Sequence, residues 1–80
     1  MHKDPIEVTA RFEPNGEITP RSFVYQGETY PVDSTGRRWE DEDGTHILVM
    51  VHGNRVFELI YTGDEGRWYL GELGISRKFV

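Results

Sequence analysis

The chain contains no cysteine, a single alanine and no long apolar run. The absence of cysteine excludes disulfides, thiol nucleophiles and thiolate-bound metal sites. The longest uninterrupted apolar stretch is Ile47–Val51, whereas a membrane-spanning helix needs about 20 such residues. The first residues also lack the apolar stretch of a signal peptide. We therefore expect a cytoplasmic protein with no membrane association.

Positive charge is scarce and dispersed. Nine Lys and Arg residues stand against fourteen Asp and Glu residues, which gives a formal net charge of −5. Adjacent basic residues occur only at Arg37-Arg38 and Arg77-Lys78. A negative mean field repels phosphate backbones, so the composition disfavours non-specific nucleic-acid binding.

Length and composition indicate one small β domain. Eighty residues suffice for a single domain, predicted over residues 1–80. Val, Ile and Thr supply 18 residues, and this bias favours strands over helices. The predicted fold is an all-β antiparallel meander of five or six strands, SH3-like or a related partly open barrel. Ten aromatic residues would form much of its core, and a second copy of the chain could cover the remainder.

Turn residues place the first strands. Apolar and polar residues alternate over Ile6–Phe12, which predicts a half-buried strand, and Asn15-Gly16 then predicts a turn. Gly27-Glu28 fits the loop of a type II′ hairpin. That loop pairs Tyr25 with Tyr30, and both rings then share one face with further apolar residues.

A second hairpin is predicted around Gly53-Asn54, taken as a two-residue loop. Its predicted pairs are Met50 with Phe57, Leu48 with Leu59, and His46 with Tyr61. Both faces of this hairpin are apolar, so we expect it to lie centrally and to need covering on each side. Glu58 is the charged exception on the face opposite to His46.

The third hairpin follows from the glycine-bounded segment Thr62–Arg67. A four-residue loop there pairs Tyr61 with Trp68 and Leu59 with Leu70. These residues continue one apolar row across three strands, about the size of a small barrel core.

The remaining segments are more polar. Residues 33–44 are predicted to form a solvated loop, because Glu40–Asp43 are four consecutive acids, with Trp39 as its anchor. The tail, residues 75–80, ends on apolar residues and is predicted to pair along a sheet edge.

No metal, cofactor or catalytic residue is expected. His46 and His52 are six residues apart on one predicted strand, about 20 Å at 3.3 Å per residue, so they cannot share a metal ion. The Asp41–Gly44 segment contains a fragment of a calcium loop but lacks the Glu that would complete it, which favours a charged surface loop. The serines, Ser22, Ser34 and Ser76, lie in no nucleophile motif, so the chain is not expected to be an enzyme.

Glu58 is the carboxylate most suggestive of acid–base chemistry, because it falls on an apolar face. Two structural explanations compete with that one. An inward charge discourages edge association of strands, and Glu58 could instead pair with Arg55 or Arg67.

The order of aromatic segments from residue 21 to residue 71 resembles a known family. The segments are Phe23-Val24-Tyr25, Gly27, Tyr30-Pro31-Val32, Arg38-Trp39, Phe57–Tyr61 and Arg67–Leu70. The order resembles an uncharacterised bacterial β domain found alone or near the C-terminus of Y-family DNA-polymerase-like proteins. The resemblance implies no activity and suggests a place near DNA repair.

These patterns favour a non-enzymatic protein-interaction module, with a protein partner or a second copy of the chain covering the apolar hairpin. The alternative is a nucleic-acid-associated accessory domain linked to DNA repair. Exposed aromatic rings would provide a stacking platform for single-stranded nucleic acid. The predicted binding patch is Arg37, Arg38, Trp39 and Tyr69.

Overall fold

The computed structural model describes residues 4–71, which form seven strands joined by turns and short connections. The strands are β1 (Asp4–Phe12), β2 (Ile18–Tyr25), β3 (Glu28–Pro31), β4 (Ser34–Asp41), β5 (Gly44–Val51), β6 (Arg55–Thr62) and β7 (Arg67–Leu70). The all-β prediction is confirmed for this range, with seven strands where five or six were expected. No helix in the described part of the chain could cross a membrane.

The strands form one curled antiparallel sheet in the order β3-β2-β1-β7-β6-β5-β4. Sequence neighbours are sheet neighbours at every position except one, where β1 pairs with β7 and joins the two halves. The strands at the two edges, β3 and β4, follow one another in the chain. The Val32 N–H donates to the Arg21 carbonyl at 2.9 Å, and the Asp33 N–H donates to the Met50 carbonyl at 2.8 Å. The connection thus crosses from one edge to the other and leaves a half-barrel open between β3 and β4.

The core lies on the inner face of this half-barrel. Its buried members are Phe23, Tyr30, Ile47, Val49, Val51, Phe57, Leu59, Trp68 and Leu70. Rings of Phe23, Tyr30 and Phe57 contact one another at centroid distances of 5.1 to 5.7 Å. Aromatic pairs in such tilted and offset arrangements add to the stabilisation that burial itself provides. Three strands, β2, β3 and β6, are thereby joined through one cluster.

The first hairpin has a different turn from the one predicted. Its loop residues are Gln26 and Gly27, with φ values of 52° and 79°, and Tyr25 lies opposite Glu28. Positive φ at both positions defines a type I′ turn, in place of the predicted type II′ turn at Gly27-Glu28. The register therefore differs by two residues, which leaves each side chain on its predicted face.

The second hairpin differs from the prediction by one residue, and this changes which face is buried. A three-residue loop, residues 52–54, pairs Val51 with Arg55, and Asn54 has a φ of 59°. The consequent pairs are Thr45 with Tyr61, Ile47 with Leu59, and Val49 with Phe57. The predicted pairing was wrong because Asn54 adopts a left-handed conformation and extends the loop. The buried hydrophobic residues of β5 are therefore Ile47, Val49 and Val51, and His46 lies on the opposite face with Glu58.

The third hairpin has the predicted register, with Tyr61 opposite Trp68 and Leu59 opposite Leu70. The prediction for residues 33–44 was wrong, because Ser34–Asp41 forms the edge strand β4. An edge strand with one solvated face carries many polar residues, so composition alone does not distinguish it from a loop. The predicted pairing of residues 75–80 lies outside the described residues.

Candidate functional site

Four residues form a row across the outer face of the sheet, one from each of four adjacent strands. The ladder pairs Trp39 with His46, His46 with Ile60, and Ile60 with Tyr69. The side chains of His46, Ile60 and Tyr69 point away from the core, because their chain neighbours Ile47, Leu59 and Leu70 belong to it. The row brings an imidazole, an indole and a phenol onto one surface.

His46 is buried in this row and is held by two carboxylates. Its exposed fraction is 5%. Nδ1 lies 2.6 Å from Glu58 Oε2, and Nε2 lies 2.8 Å from Asp41 Oδ1. Both distances are short, as expected for hydrogen bonds between an imidazolium and carboxylates. The two carboxylates come from different strands, so the arrangement depends on the β4-β5-β6 ladder.

The carboxylates change the acid–base behaviour of this site. Burial lowers the pKa of His46, but the hydrogen bonds to Glu58 and Asp41 and the nearby negative charges outweigh burial, so its pKa lies above the ordinary value. The hydrogen bond from His46 holds the pKa of Asp41 below its usual range, and the Asp43 N–H adds to that effect. The native structure therefore favours the charged form of both groups.

Trp39 and Arg37 form a layered stack over the imidazole. The Trp39 and His46 rings are 4.9 Å apart and nearly parallel, at 14°. The Arg37 guanidinium lies 5.1 Å from the Trp39 ring centroid. Such stacking fixes the plane of the imidazole and places Arg37 at the surface of the site.

Glu58 has a different partner from those predicted. Its carboxylate binds His46, whereas Arg55 lies over the rings of Tyr30 and Phe57, each at 5.2 Å. The Glu58 side chain retains 20% of its exposure, so it is mostly buried, with an ionic partner. Glu58 therefore lies beside a polar partner and not in a purely apolar pocket.

Three residues near the end of the sheet offer ligand atoms for a metal ion. The atoms of Asp41, Asp43 and His46 all lie within 4.8 Å of one another. Asp41 ends β4 and Asp43 lies in the β4-β5 turn, where the Asp43 N–H donates to Asp41 Oδ1 at 2.8 Å. The turn thus directs both acids to the side of the sheet on which His46 lies.

The structure separates the residues of the predicted patch. Arg37 and Trp39 lie together on the outer face, and Tyr69 lies in the same row, two strands beyond His46. The Tyr69 hydroxyl donates to Glu65 at 2.9 Å. Arg38 points to the other side of β4, where its Nη1 donates to the Ile18 carbonyl at 2.7 Å.

A second surface lies at the opening of the half-barrel. A cleft of about 420 Å³ separates β4 from the start of β2 and the turn before it. Its lining residues are Asn15, Gly16, Glu17, Ile18, Arg38, Trp39, Glu40 and Thr45. Trp39 therefore contributes both to the outer-face row, where it stacks on His46, and to this cleft.

Sequence reasoning placed His46 and Glu58 on opposite faces and so missed their contact. The sequence does carry a signal for this contact, because His46 and Glu58 are two polar residues in a mostly apolar hairpin. With a three-residue loop at residues 52–54, His46 and Glu58 fall on the same face of one hairpin, and each gains a partner.

Comparison with protein-family models, with curated proteins and with solved structures finds no match to this chain. The resemblance to a domain of Y-family DNA-polymerase-like proteins therefore stays a prediction.

Proposed function

We propose that this chain is a non-enzymatic protein-interaction module, built on a partly open SH3-like barrel, that binds an extended peptide along β4. The observation that carries the proposal is the open edge of β4 beside a cleft. Among residues 4–71, β4 pairs with β5 alone and β3 pairs with β2 alone. An edge strand presents backbone donors and acceptors to which a further strand can be added.

The edge is restricted in a way that suits a specific partner. The β4-β5 ladder is irregular between Thr35 and Arg38, and such bulges discourage indiscriminate strand pairing. The regular stretch beyond the bulge is Arg38–Asp41. A short stretch of this kind supports pairing with one segment of a partner and gives little area for aggregation.

The lining of the cleft defines the chemistry of the occupant. Ile18 and the Trp39 ring supply apolar contact, while Glu17 and Glu40 supply negative charge. The Arg38 guanidinium already binds the Ile18 carbonyl. The occupant is therefore a peptide with apolar and basic side chains, which also complements the net charge of −5.

The nucleic-acid-associated alternative has less support from the geometry. Arg37 lies over Trp39, Arg38 is bound to backbone on the other side of the strand, and acids line the adjacent cleft. A phosphate backbone needs several cations that face it together. We retain this alternative as an outcome of the experiment below.

The test begins with a phage-displayed library of random dodecapeptides, selected on the immobilised 80-residue chain. Enriched peptides are synthesised and titrated into labelled protein while amide NMR shifts are recorded. We expect apolar and basic residues in the enriched sequences, and shifts confined to β4 and residues 15–18. Mixed-sequence single-stranded DNA is titrated in parallel at low and moderate salt.

Charge reversal provides the matched control. The Glu17→Lys/Glu40→Lys variant should lose roughly tenfold or more in peptide affinity, because two carboxylates that face the basic side chains are inverted. The Glu7→Lys/Asp64→Lys variant undergoes the same change of net charge on exposed residues outside the cleft and should bind normally. Equal weakening in both variants, peptide shifts on another face, or salt-sensitive DNA shifts at β4 in place of peptide shifts would overturn the proposal.

A further inference from the structure

An acidic cleft lies at the end of the sheet, between the β4-β5 turn and the β6-β7 turn. It encloses about 640 Å³. Its lining residues are Asp41, Glu42, Asp43, Gly44, Thr62, Gly63, Asp64, Glu65 and Tyr69. Five of these nine are carboxylates and none is basic. A concave surface lined by one sign of charge concentrates ions of the opposite sign.

The imidazole of His46 contacts one of these lining residues, Asp41. Nε2 faces Asp41 at 2.8 Å, and the ligand atoms of Asp41, Asp43 and His46 lie within 4.8 Å of one another. Donor atoms bound at about 2.0–2.1 Å to a tetrahedral metal ion lie roughly 3.3 Å apart. The His46 and Asp41 atoms therefore need to separate by about half an ångström to admit an ion. Asp41 can accommodate this because its side chain is 45% exposed.

A separate element of the fold orients His46 for this role. Glu58, on β6, accepts a hydrogen bond from Nδ1 at 2.6 Å, and the Trp39 ring packs parallel to the imidazole at 4.9 Å. A carboxylate on Nδ1 is the usual partner of a histidine that binds metal through Nε2, because it fixes both the tautomer and the ring orientation. Glu58 lies on β6, outside the acidic turn.

We propose that His46 Nε2, Asp41 and Asp43 bind one first-row divalent cation, with Zn²⁺ the best-suited ion and water completing its coordination. An imidazole nitrogen with two carboxylates suits Zn²⁺, whereas Mg²⁺ and Ca²⁺ prefer oxygen ligands alone. The cation takes the place of the hydrogen between Nε2 and Asp41. This site lies at the turn end of the sheet, and its ligand Asp41 is also the last residue of the β4 edge.

The experiment uses the full chain, freed of metal by a chelator and dialysed, in a His2→Gln/His52→Gln background. His46 is then the single imidazole present. Calorimetric titration with ZnCl₂ should show saturable binding of one ion per chain, and MgCl₂ and CaCl₂ should bind far more weakly. The ¹⁵N shift of His46 Nε2 should change on Zn²⁺ addition while Nδ1 keeps its proton.

Two variants of the same turn separate coordination from general attraction to negative charge. Asp43→Asn removes a ligand oxygen charge and should weaken Zn²⁺ binding roughly tenfold or more. Glu42→Gln removes the same charge from the same cleft without belonging to the ligand group, and should leave affinity within about twofold. Equal losses in the two variants, equal affinity for Mg²⁺ and Zn²⁺, or an unchanged Nε2 shift would each overturn the proposal.

Discussion

The carboxylate of Glu58 occupies the space in which a side chain at position 71 would lie. A Cβ built on Gly71 comes within 2.7 Å of Glu58 Cδ and Oε1, while the Gly71 N–H donates to the Glu58 carbonyl at 2.8 Å. Position 71 therefore requires glycine, because the Glu58 side chain leaves no room for a Cβ atom. The end of β7 and the hydrogen bond between Glu58 and His46 are thereby coupled.

The first prediction follows from that contact. Gly71→Ala should destabilise the fold by about 1–3 kcal/mol, because the added methyl group displaces Glu58 from the buried imidazole. Gly36→Ala is the matched control, since its nearest neighbour would lie 3.9 Å away. Urea denaturation measures both. In a Glu58→Ala background the cost of Gly71→Ala should largely disappear, and persistence of the full cost would contradict this explanation.

The second prediction concerns pH. The pKa of His46 is raised in the native state, so the stabilisation is complete below the unfolded pKa of about 6.5 and is lost as pH rises through the native pKa. The pKa of Asp41 is lowered, so its contribution is present above an unfolded pKa of about 3.9 and is lost as pH falls through the native pKa. The site therefore stabilises the fold most between about pH 4 and 6.5.

Urea denaturation in the presence of a chelator measures how the free energy of unfolding changes with pH. Wild-type stability should fall as pH rises above about 6.5, and the fall should be smaller in Glu58→Gln, which lacks one of the two charges that favour the imidazolium. His52→Gln serves as the control because His52 is exposed, and it should keep the wild-type slope. Parallel pH curves for wild type and Glu58→Gln would show that the pair does not couple folding to protonation.

The strand content could be predicted from composition and alternation, whereas the registers depended on single loop residues. The four-residue loop before Trp68 was predicted correctly because its glycines bound it on both sides. The loop at residues 52–54 was predicted one residue too short, because the left-handed conformation of Asn54 is a local choice that tertiary packing decides. A one-residue shift exchanges the faces of a strand, so this error also concealed the contact between His46 and Glu58.

The third prediction tests that register through the core. Ile47 is fully buried, whereas Met50 is 39% exposed. Ile47→Ala should therefore cost about 2–5 kcal/mol, and Met50→Ala less than about 1 kcal/mol, as measured by chemical denaturation. The two-residue loop would place Met50 against Phe57 and reverse this order. A larger loss in Met50→Ala would thus contradict the observed pairing.

The candidate site was less predictable than the fold because it joins distant elements. Arg37 and Trp39 were identified from their proximity in sequence, and the structure stacks them. The partners of His46 come from the end of β4 and from β6, and no local pattern specifies that contact. Composition also concealed β4, because a strand with charged residues at a sheet edge resembles a loop.

The fourth prediction concerns the first hairpin, where the residue at the first loop position is unfavourable. Gln26 adopts a φ of 52°, a left-handed conformation that costs a residue with a Cβ roughly 1–2 kcal/mol and that Asn tolerates better. Gln26→Asn creates the Asn-Gly pair that type I′ turns favour, and should stabilise the fold by about 0.5–1 kcal/mol. Thermal and urea denaturation measure the gain. Glu28→Asn, on the strand side of the same loop, should give none, whereas a gain at position 28 without one at position 26 would support a type II′ turn instead.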